Sequence, residues 1–270
     1  MRRARDEESE LLAQIVANPE DTAPRLVYAD WLQERGDLRG ECIALLLQSK
    51  LRKTAQARLN EIFEVASAAI EGDIEQHGGI AFIERGMVEM LYIGIAKLLK
   101  HGDRWLARHP ITHVRITNHS GKPTRGKLAE LATSTVLAKI RTLELEIDSI
   151  DFSPLWESKR FAMLDRLEMS AIGMPPSPKG LANLALLRAP KLRSIRFYCI
   201  EGVERALTTI AANKHSKALE TIEVDPGSSG RRGRRGRREE PRDETFTMAA
   251  LRERFPPASS KTATASKRRA

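Results

Sequence analysis

One short pattern of apolar positions, apolar-x-x-apolar-x-apolar, occurs five times between Ile111 and Val224. Successive copies begin 29, 24, 28 and 27 residues apart. Each copy predicts a short strand in which alternate residues face the same way, and the Leu- and Ala-rich segments between copies predict helices. An earlier apolar stretch at 88–93 predicts a sixth strand of this kind. The copies are Ile111/Val114/Ile116, Ile140/Leu143/Leu145, Leu164/Leu167/Met169, Leu192/Ile195/Phe197 and Leu219/Ile222/Val224.

The first 70 or so residues follow a helical pattern instead. Residues 8–17 place apolar side chains on one helix face, and the next helix has Pro24 at its start and Gly36 at its end. Asp37 is placed to cap a longer helix that runs to Phe63, with a break near Thr54 as an alternative. The charged residues around Asp37 are predicted to form caps and local ion pairs.

The run from Pro24 to Asp37 (PRLVYADWLQERGD), continued by Arg39-Gly40-Glu41-Cys42-Ile43, resembles the bacterial repeat-companion domain. That domain is a short helical module at the N-terminus of proteins whose remainder consists of leucine-rich or other repeats. The resemblance covers about residues 8–52, and residues 82–89 are similar to the link by which such proteins enter their repeats. Leu38 and Cys42 depart from the pattern, which usually has a proline and an aromatic residue there. The resemblance implies an architecture and brings no catalytic or ligand-binding residues with it.

The five apolar triplets are spaced like leucine-rich repeats, whose units are 20–29 residues long. A regular repeat has Asn or Cys three residues after its last strand position. Here His119, Asp148, Ile172, Ile200 and Gly227 stand at that position, so irregular turns are expected. We therefore predict an α/β fold: a helical repeat-companion module (1–78), a leucine-rich-repeat-like solenoid with a parallel sheet of about five or six strands (79–225), and a disordered Arg/Gly-rich basic tail (226–270). Within the tail, Met248, Leu251 and Phe255 are spaced as in a brief amphipathic helix over Thr247–Phe255.

Charge separates the tail from the rest of the chain. Residues 226–270 hold 13 Lys/Arg and 5 Asp/Glu, which leaves 32 basic and 31 acidic residues before Pro226. The six arginines of residues 231–238 are candidates for binding nucleic-acid phosphates, and the alternative is a solubilising tail. These candidates are Arg231, Arg232, Arg234, Arg235, Arg237 and Arg238.

Compartment and chemistry are predicted from what the sequence lacks. With two cysteines, no signal-peptide core and no membrane-length apolar run, we expect a cytoplasmic protein.

The segment 121–127 fits G-x-x-x-x-G-K, but Leu128 replaces the hydroxyl that would hold magnesium. His109 and His113 are separated by Pro110 and lack further ligands. No catalytic residue, metal site or cofactor is predicted, and we expect no enzyme.

The residues between the apolar strand positions define the predicted functional surface. In a parallel stack they form columns on the exposed face, and such a face is suited to a helix or an extended segment of a partner protein. The function predicted is a non-enzymatic protein-interaction scaffold. Its alternatives are a solvated mixed-charge face without a partner and, for the tail, a nucleic-acid-associated protein. The candidate protein-binding residues are Arg115, Glu144, Arg166, Glu168, Arg196, Tyr198 and Glu223.

Overall fold

The computed structural model describes residues 2–118, 121, 123–146, 151–170, 181, 183–198, 203–215, 217–225 and 244–254, without the side chains of residues 2–5 and 205. In that part of the chain, N-terminal helices are followed by an α/β unit built on one mostly parallel sheet. The predicted α/β class and the N-terminal helices are confirmed.

Four helices precede the sheet: α1 (Arg2–Ala17), α2 (Ala23–Gln33), α3 (Leu38–Leu46) and α4 (Lys53–Glu75). Pro24 lies in the first turn of α2, where its missing N–H is not needed. Gly36, with φ +71°, follows the end of that helix. The Asp37 carboxylate accepts a hydrogen bond from the Arg39 N–H at 3.0 Å and caps α3. Of the two expectations for the chain after Asp37, the break near Thr54 is confirmed: α3 ends at Leu46, and α4 begins at Lys53.

The N-terminal helices pack around two small apolar clusters. The first joins α1, α2 and α3 through Leu12, Ile15, Tyr28, Leu32 and Ile43, with Met87 from the sheet. The second joins α3 to the first half of α4 through Cys42, Leu59, Ile62 and Ala66. Burial raises the pKa of the Cys42 thiol to about 11, so this thiol is an inert packing group. Ile70 and Ile74, near the end of α4, pack into the main core instead.

Within the described residues the sheet has eight strands, and their spatial order follows the chain. Strands β2 to β7 are parallel, and β1 and β8 pair antiparallel at the two edges. The expectation of five or six strands was therefore too low, because it counted only the parallel strands. The strands are β1 (Ile80–Glu84), β2 (Met87–Ile93), β3 (His113–Ile116), β4 (Thr142–Glu146), β5 (Arg166–Ser170), β6 (Ser194–Tyr198), β7 (Thr221–Asp225) and β8 (Glu244–Thr247).

The apolar triplets pair in register across the parallel strands. Val114 lies beside Leu143, and this column continues through Leu167, Ile195 and Ile222. These residues share one buried cluster with apolar side chains of the connecting helices, so the helices lie on one side of the sheet. The helices are α5 (Ile95–Arg108), α6 (Arg125–Thr133), α7 (Ser153–Trp156), α8 (Glu204–Ala211) and α9 (Met248–Arg254), with 3-10 turns at Thr135–Ala138 and Leu184–Leu186.

Within the C-terminal region, the brief helix expected at Thr247–Phe255 is confirmed as α9 (Met248–Arg254), and the strand β8 before it was not expected. Residues 244–254 form β8 and α9, with Leu251 fully buried and Met248 8% exposed. Strand β8 pairs antiparallel with β7. The rest of the expected tail, 226–243 and 255–270, lies outside the described residues.

No helix in the described part of the chain has the length and apolar content needed to cross a membrane.

Candidate functional site

The sheet face opposite the helices carries the predicted protein-binding residues. Strand pairing places Arg115, Glu144, Glu168, Arg196 and Glu223 side by side in one column. The columns on its two sides contain Arg166 and Tyr198, respectively. The structure thus brings together all seven residues in the columns expected, and their role in binding stays a prediction.

Arg115 forms the first charged cluster of this face. Its guanidinium lies 3.1 Å from a Glu144 carboxylate oxygen and 3.3 Å from one of Glu146, and it stacks over the Tyr92 ring at 5.0 Å. Glu146 also accepts a hydrogen bond from the Asn118 N–H at 2.8 Å. Desolvation alone would lower the pKa of Arg115, but Glu144, Tyr92 and Glu146 raise it above its usual value. The Arg115 guanidinium therefore stays charged and forms ion pairs with both Glu144 and Glu146.

The centre of the face is acidic. Glu144 and Glu168 are direct neighbours on β4 and β5, and Glu146 lies further along β4. All three residues are less than 9% exposed. Among the described residues, the guanidinium group paired with Glu168 is that of Arg166 at 3.7 Å, and the Arg166 side chain is 48% exposed. The three largely buried carboxylates thus face two guanidinium groups, Arg115 and Arg166.

A second charged cluster lies toward the C-terminal edge. Arg196 is 3.4 Å from a Glu223 oxygen and stacks over the Tyr198 ring at 4.5 Å. Desolvation, the negative charge of Glu168 and a hydrogen bond with that carboxylate raise the pKa of Tyr198 to about 12. Tyr198 is consequently protonated at neutral pH.

Sequence reasoning missed the apolar end of the face, on β1 and β2. Ile80 pairs with Tyr92, and Phe82 pairs with Met90, so all four side chains lie on the same face as Arg115. Phe82 and Tyr92 are in ring contact at 4.6 Å, and Ile80 is 55% exposed. Residues 80–83 are a continuous apolar run, Ile-Ala-Phe-Ile, and which of them lie on this face depends on a hairpin that was not predicted.

A different charged network joins the N-terminal helices to the sheet. The Arg25 side chain on α2 is fully buried, 3.0 Å from Glu89 on β2, and donates a hydrogen bond to the Pro19 carbonyl at 2.8 Å. Arg85 pairs with the same Glu89 carboxylate and, at 3.0 Å, with Glu20. The register between β1 and β2 shifts at Glu89, which has no partner on β1. At this bulge, side chains no longer alternate between the two faces of the sheet as they do in a regular strand. We call Arg25, Arg85, Glu89 and Glu20 the junction network.

The phosphate-loop-like segment has a structural role in the described residues. The Thr124 hydroxyl accepts a hydrogen bond from the Lys127 N–H at 3.3 Å and caps α6. Lys122 lies outside the described residues. Within the described residues, no three His, Cys, Asp or Glu side chains are grouped so that they would hold a metal ion.

The six candidate nucleic-acid-binding arginines, 231–238, also lie outside the described residues. In the sequence these arginines lie between β7 and β8, two strands that pair antiparallel. Comparisons of the chain with protein-family models, with curated protein sequences and with solved structures gave no match.

Proposed function

We propose that this chain is a non-enzymatic protein-interaction scaffold that binds a partner protein on the polar face of its sheet. The proposal includes a repeat-companion module at residues 1–78 and a leucine-rich-repeat-like solenoid at 79–225. Its support is the alignment of side chains across β2 to β7, together with the placement of the connecting helices on the other side. Extended surfaces of this kind are the usual binding surfaces of repeat proteins.

The charge of the face favours a basic partner segment. The face positions of β3 to β7 hold three guanidinium groups, Arg115, Arg166 and Arg196, against five carboxylates. The carboxylates are Glu144, Glu146, Glu168, Glu223 and Asp225. A Lys or Arg side chain of the partner placed over Glu144 and Glu168 would relieve the repulsion between these neighbours.

The apolar end of the face supplies an anchor for the same partner. Phe82, Met90 and Tyr92 are partly exposed, and aromatic and Met side chains are enriched at the centres of interfaces. With strands about 4.8 Å apart, the centre of the acidic pair lies roughly 10–14 Å from Tyr92. We therefore expect a partner segment that carries an apolar side chain and a basic side chain separated by that distance.

The single observation that carries the proposal is the acidic centre, Glu144, Glu146 and Glu168, on the face that the helices leave open. The test is selection of random 12-residue peptides on the full chain, followed by titration of individual peptides by fluorescence anisotropy. Selected peptides are expected to combine basic and apolar residues. The double variant Glu144→Gln/Glu168→Gln should weaken their binding about tenfold or more, because charge-assisted contacts are lost.

Glu130→Gln is the matched control, since Glu130 is an exposed carboxylate on α6, on the helix side of the sheet. It should leave peptide affinity unchanged. If the double variant binds as tightly as the native chain, or if selected peptides are acidic, the proposed binding face is wrong.

Nucleic-acid binding through residues 231–238 is tested in parallel by replacing the six arginines with serine. Truncation after Asp225 is unsuitable because it would also remove β8 and the buried Leu251. If the arginine-to-serine chain loses all salt-sensitive binding to RNA and single-stranded DNA while peptide binding persists, both functions coexist. If the peptides compete with nucleic acid and depend only on those arginines, the nucleic-acid alternative replaces the proposal.

A further inference from the structure

A cavity of about 940 Å³ lies between the N-terminal helices and α5. Its walls come from α1 to α5 and from the turn between β1 and β2. Small-molecule sites commonly have volumes of about 300–1,000 Å³ and lie where two structural units meet. We call this space the junction cavity.

Both carboxylates that line the junction cavity are already engaged by the chain's own groups. Glu8 accepts a hydrogen bond from the Tyr28 hydroxyl at 2.9 Å and lies 3.8 Å from Arg39. Asp73 accepts a hydrogen bond from the Trp105 indole N–H at 2.7 Å and pairs with Arg104 at 2.8 Å. Neither carboxylate therefore remains available to hold a cationic ligand.

Two other lining groups lack such partners. Among the described residues, the Arg108 side chain takes part in no ion pair or hydrogen bond, and Nδ1 of His109 is buried without a hydrogen-bond partner. Burial and the nearby charges of Arg108 and Arg39 lower the pKa of His109 to about 4. His109 is thus neutral at physiological pH and sits in a positive potential. A buried, unpaired ring nitrogen is costly unless a ligand or water satisfies it.

The remaining wall is apolar. Leu12, Ile43, Ile70 and Met87 line the cavity and come from α1, α3, α4 and β2. A ligand with an apolar body would contact the first N-terminal cluster through Leu12, Ile43 and Met87, and the main core through Ile70. It would then hold the N-terminal helices against the sheet unit.

We propose that the junction cavity binds a small organic anion, a carboxylate or phosphate attached to an apolar body, with its anionic group at Arg108 and His109. Arg108 supplies a charged donor, and neutral His109 donates through Nδ1–H in the corresponding tautomer. This site is independent of the proposed sheet-face function, because it shares no residue with that face.

The test is isothermal titration calorimetry of the full chain with phenyl phosphate and benzoate, and with benzyl alcohol as the neutral probe, at constant ionic strength. One anionic probe is expected to bind with one molecule per chain, about tenfold or more tighter than benzyl alcohol. The tighter of the two anions identifies the group that the cavity takes. Arg108→Gln should weaken that anion about tenfold, and Arg188→Gln, at an exposed arginine outside the cavity, should not.

A second variant blocks the cavity without touching its charges. Ala13 is exposed on α1 at the cavity wall, so Ala13→Trp is expected to fold and to abolish binding. The proposal is overturned if no probe binds below about 5 mM. It is equally overturned if the neutral probe binds as well as the anions, if Arg108→Gln and Arg188→Gln have equal effects, or if a folded Ala13→Trp chain binds normally.

Discussion

The junction network and the sheet face use the same ion-pair chemistry in opposite surroundings. At the junction, Arg25 is fully buried and its guanidinium is held by Glu89 and by a backbone carbonyl. On the sheet face, Arg166 is 48% exposed and its nearest carboxylate oxygen is 3.7 Å away. Buried charges tolerate no missing partner, whereas exposed pairs contribute little to stability. The comparison indicates that the buried junction charges contribute more to the stability of the fold than the loosely paired Arg166 does.

The strongest test of this comparison is Arg25→Met. Glu89 would lose one of its two guanidinium partners inside a buried site, where desolvation already lowers the pKa of Arg25. We expect the free energy of unfolding to fall by about 3 kcal/mol. The measurement is urea unfolding followed by circular dichroism.

Arg193→Met is the control, because Arg193 is 68% exposed in its pair with Asp165. Its effect should stay below about 0.5 kcal/mol. Equal effects of the two substitutions would remove the distinction between the junction and the surface.

The next largest effect is expected from Gly86→Ala, at the turn between β1 and β2. Gly86 has φ +81°, and an added Cβ would lie 2.6 Å from the Ile43 Cα on α3. Strain and the backbone clash together should cost about 2 kcal/mol in the same urea assay. Gly78→Ala shares the positive φ, +75°, but meets open space, so it should cost less than half as much. A larger loss at Gly78 would show that the turn does not rest on α3.

The pH dependence of stability gives a third, smaller effect at the junction. The pKa of His109 is about 4 in the folded chain, against 6.5 for an unperturbed histidine. As pH falls from 6.5 toward 4, the unfolded chain takes up a proton that the folded chain does not, so stability falls. His109→Gln should remove on the order of 1 kcal/mol of this loss at pH 5 relative to pH 8. Parallel stability curves for the two chains between pH 8 and pH 5 would contradict the assignment.

The smallest effect is expected on the sheet face itself. Arg166→Gln should change the free energy of unfolding by less than about 0.5 kcal/mol, since the side chain is half exposed and its pairing is loose. The same variant should raise the affinity of basic peptides selected on the face. It removes the Arg166 charge, which competes with the peptide for Glu168. If the free energy of unfolding fell by more than about 1 kcal/mol, the charges of this face would stabilise the fold, and the contrast with the junction network would be wrong.

Local pattern was enough to predict the parallel strands and the helix ends. The triplet spacing gave β3 to β7 and their mutual register, because in a strand with one buried face a shift by one residue would turn the apolar side chains outward. Asp37 and Gly36 were recognised at helix boundaries from their backbone preferences alone. The seven candidate face residues followed from that register.

The edge strands were missed for a physical reason. β1 depends on a turn with positive φ at both Arg85 and Gly86, a conformation that Arg adopts rarely and that Asn-Gly would have signalled more clearly. β8 has the alternating sequence Glu-Thr-Phe-Thr, but it follows a long Arg- and Gly-rich stretch and pairs only through a distant contact with β7. The pairing of β1 with β2 and of β8 with β7 therefore cannot be read from the local sequence of either edge strand.

The amino-acid sequence by itself determined which faces of the strands and helices are apolar, since hydrophobic spacing and capping residues act over a few positions. Only the tertiary structure decided that Glu89 leaves the strand alternation to meet Arg25, that apolar side chains of β1 and β2 extend the charged face, and that a cavity opens beside Arg108 and His109. Those features arise where segments far apart in the chain pack together. Such packing depends on the side chains of the whole hydrophobic core and not on any short stretch of sequence.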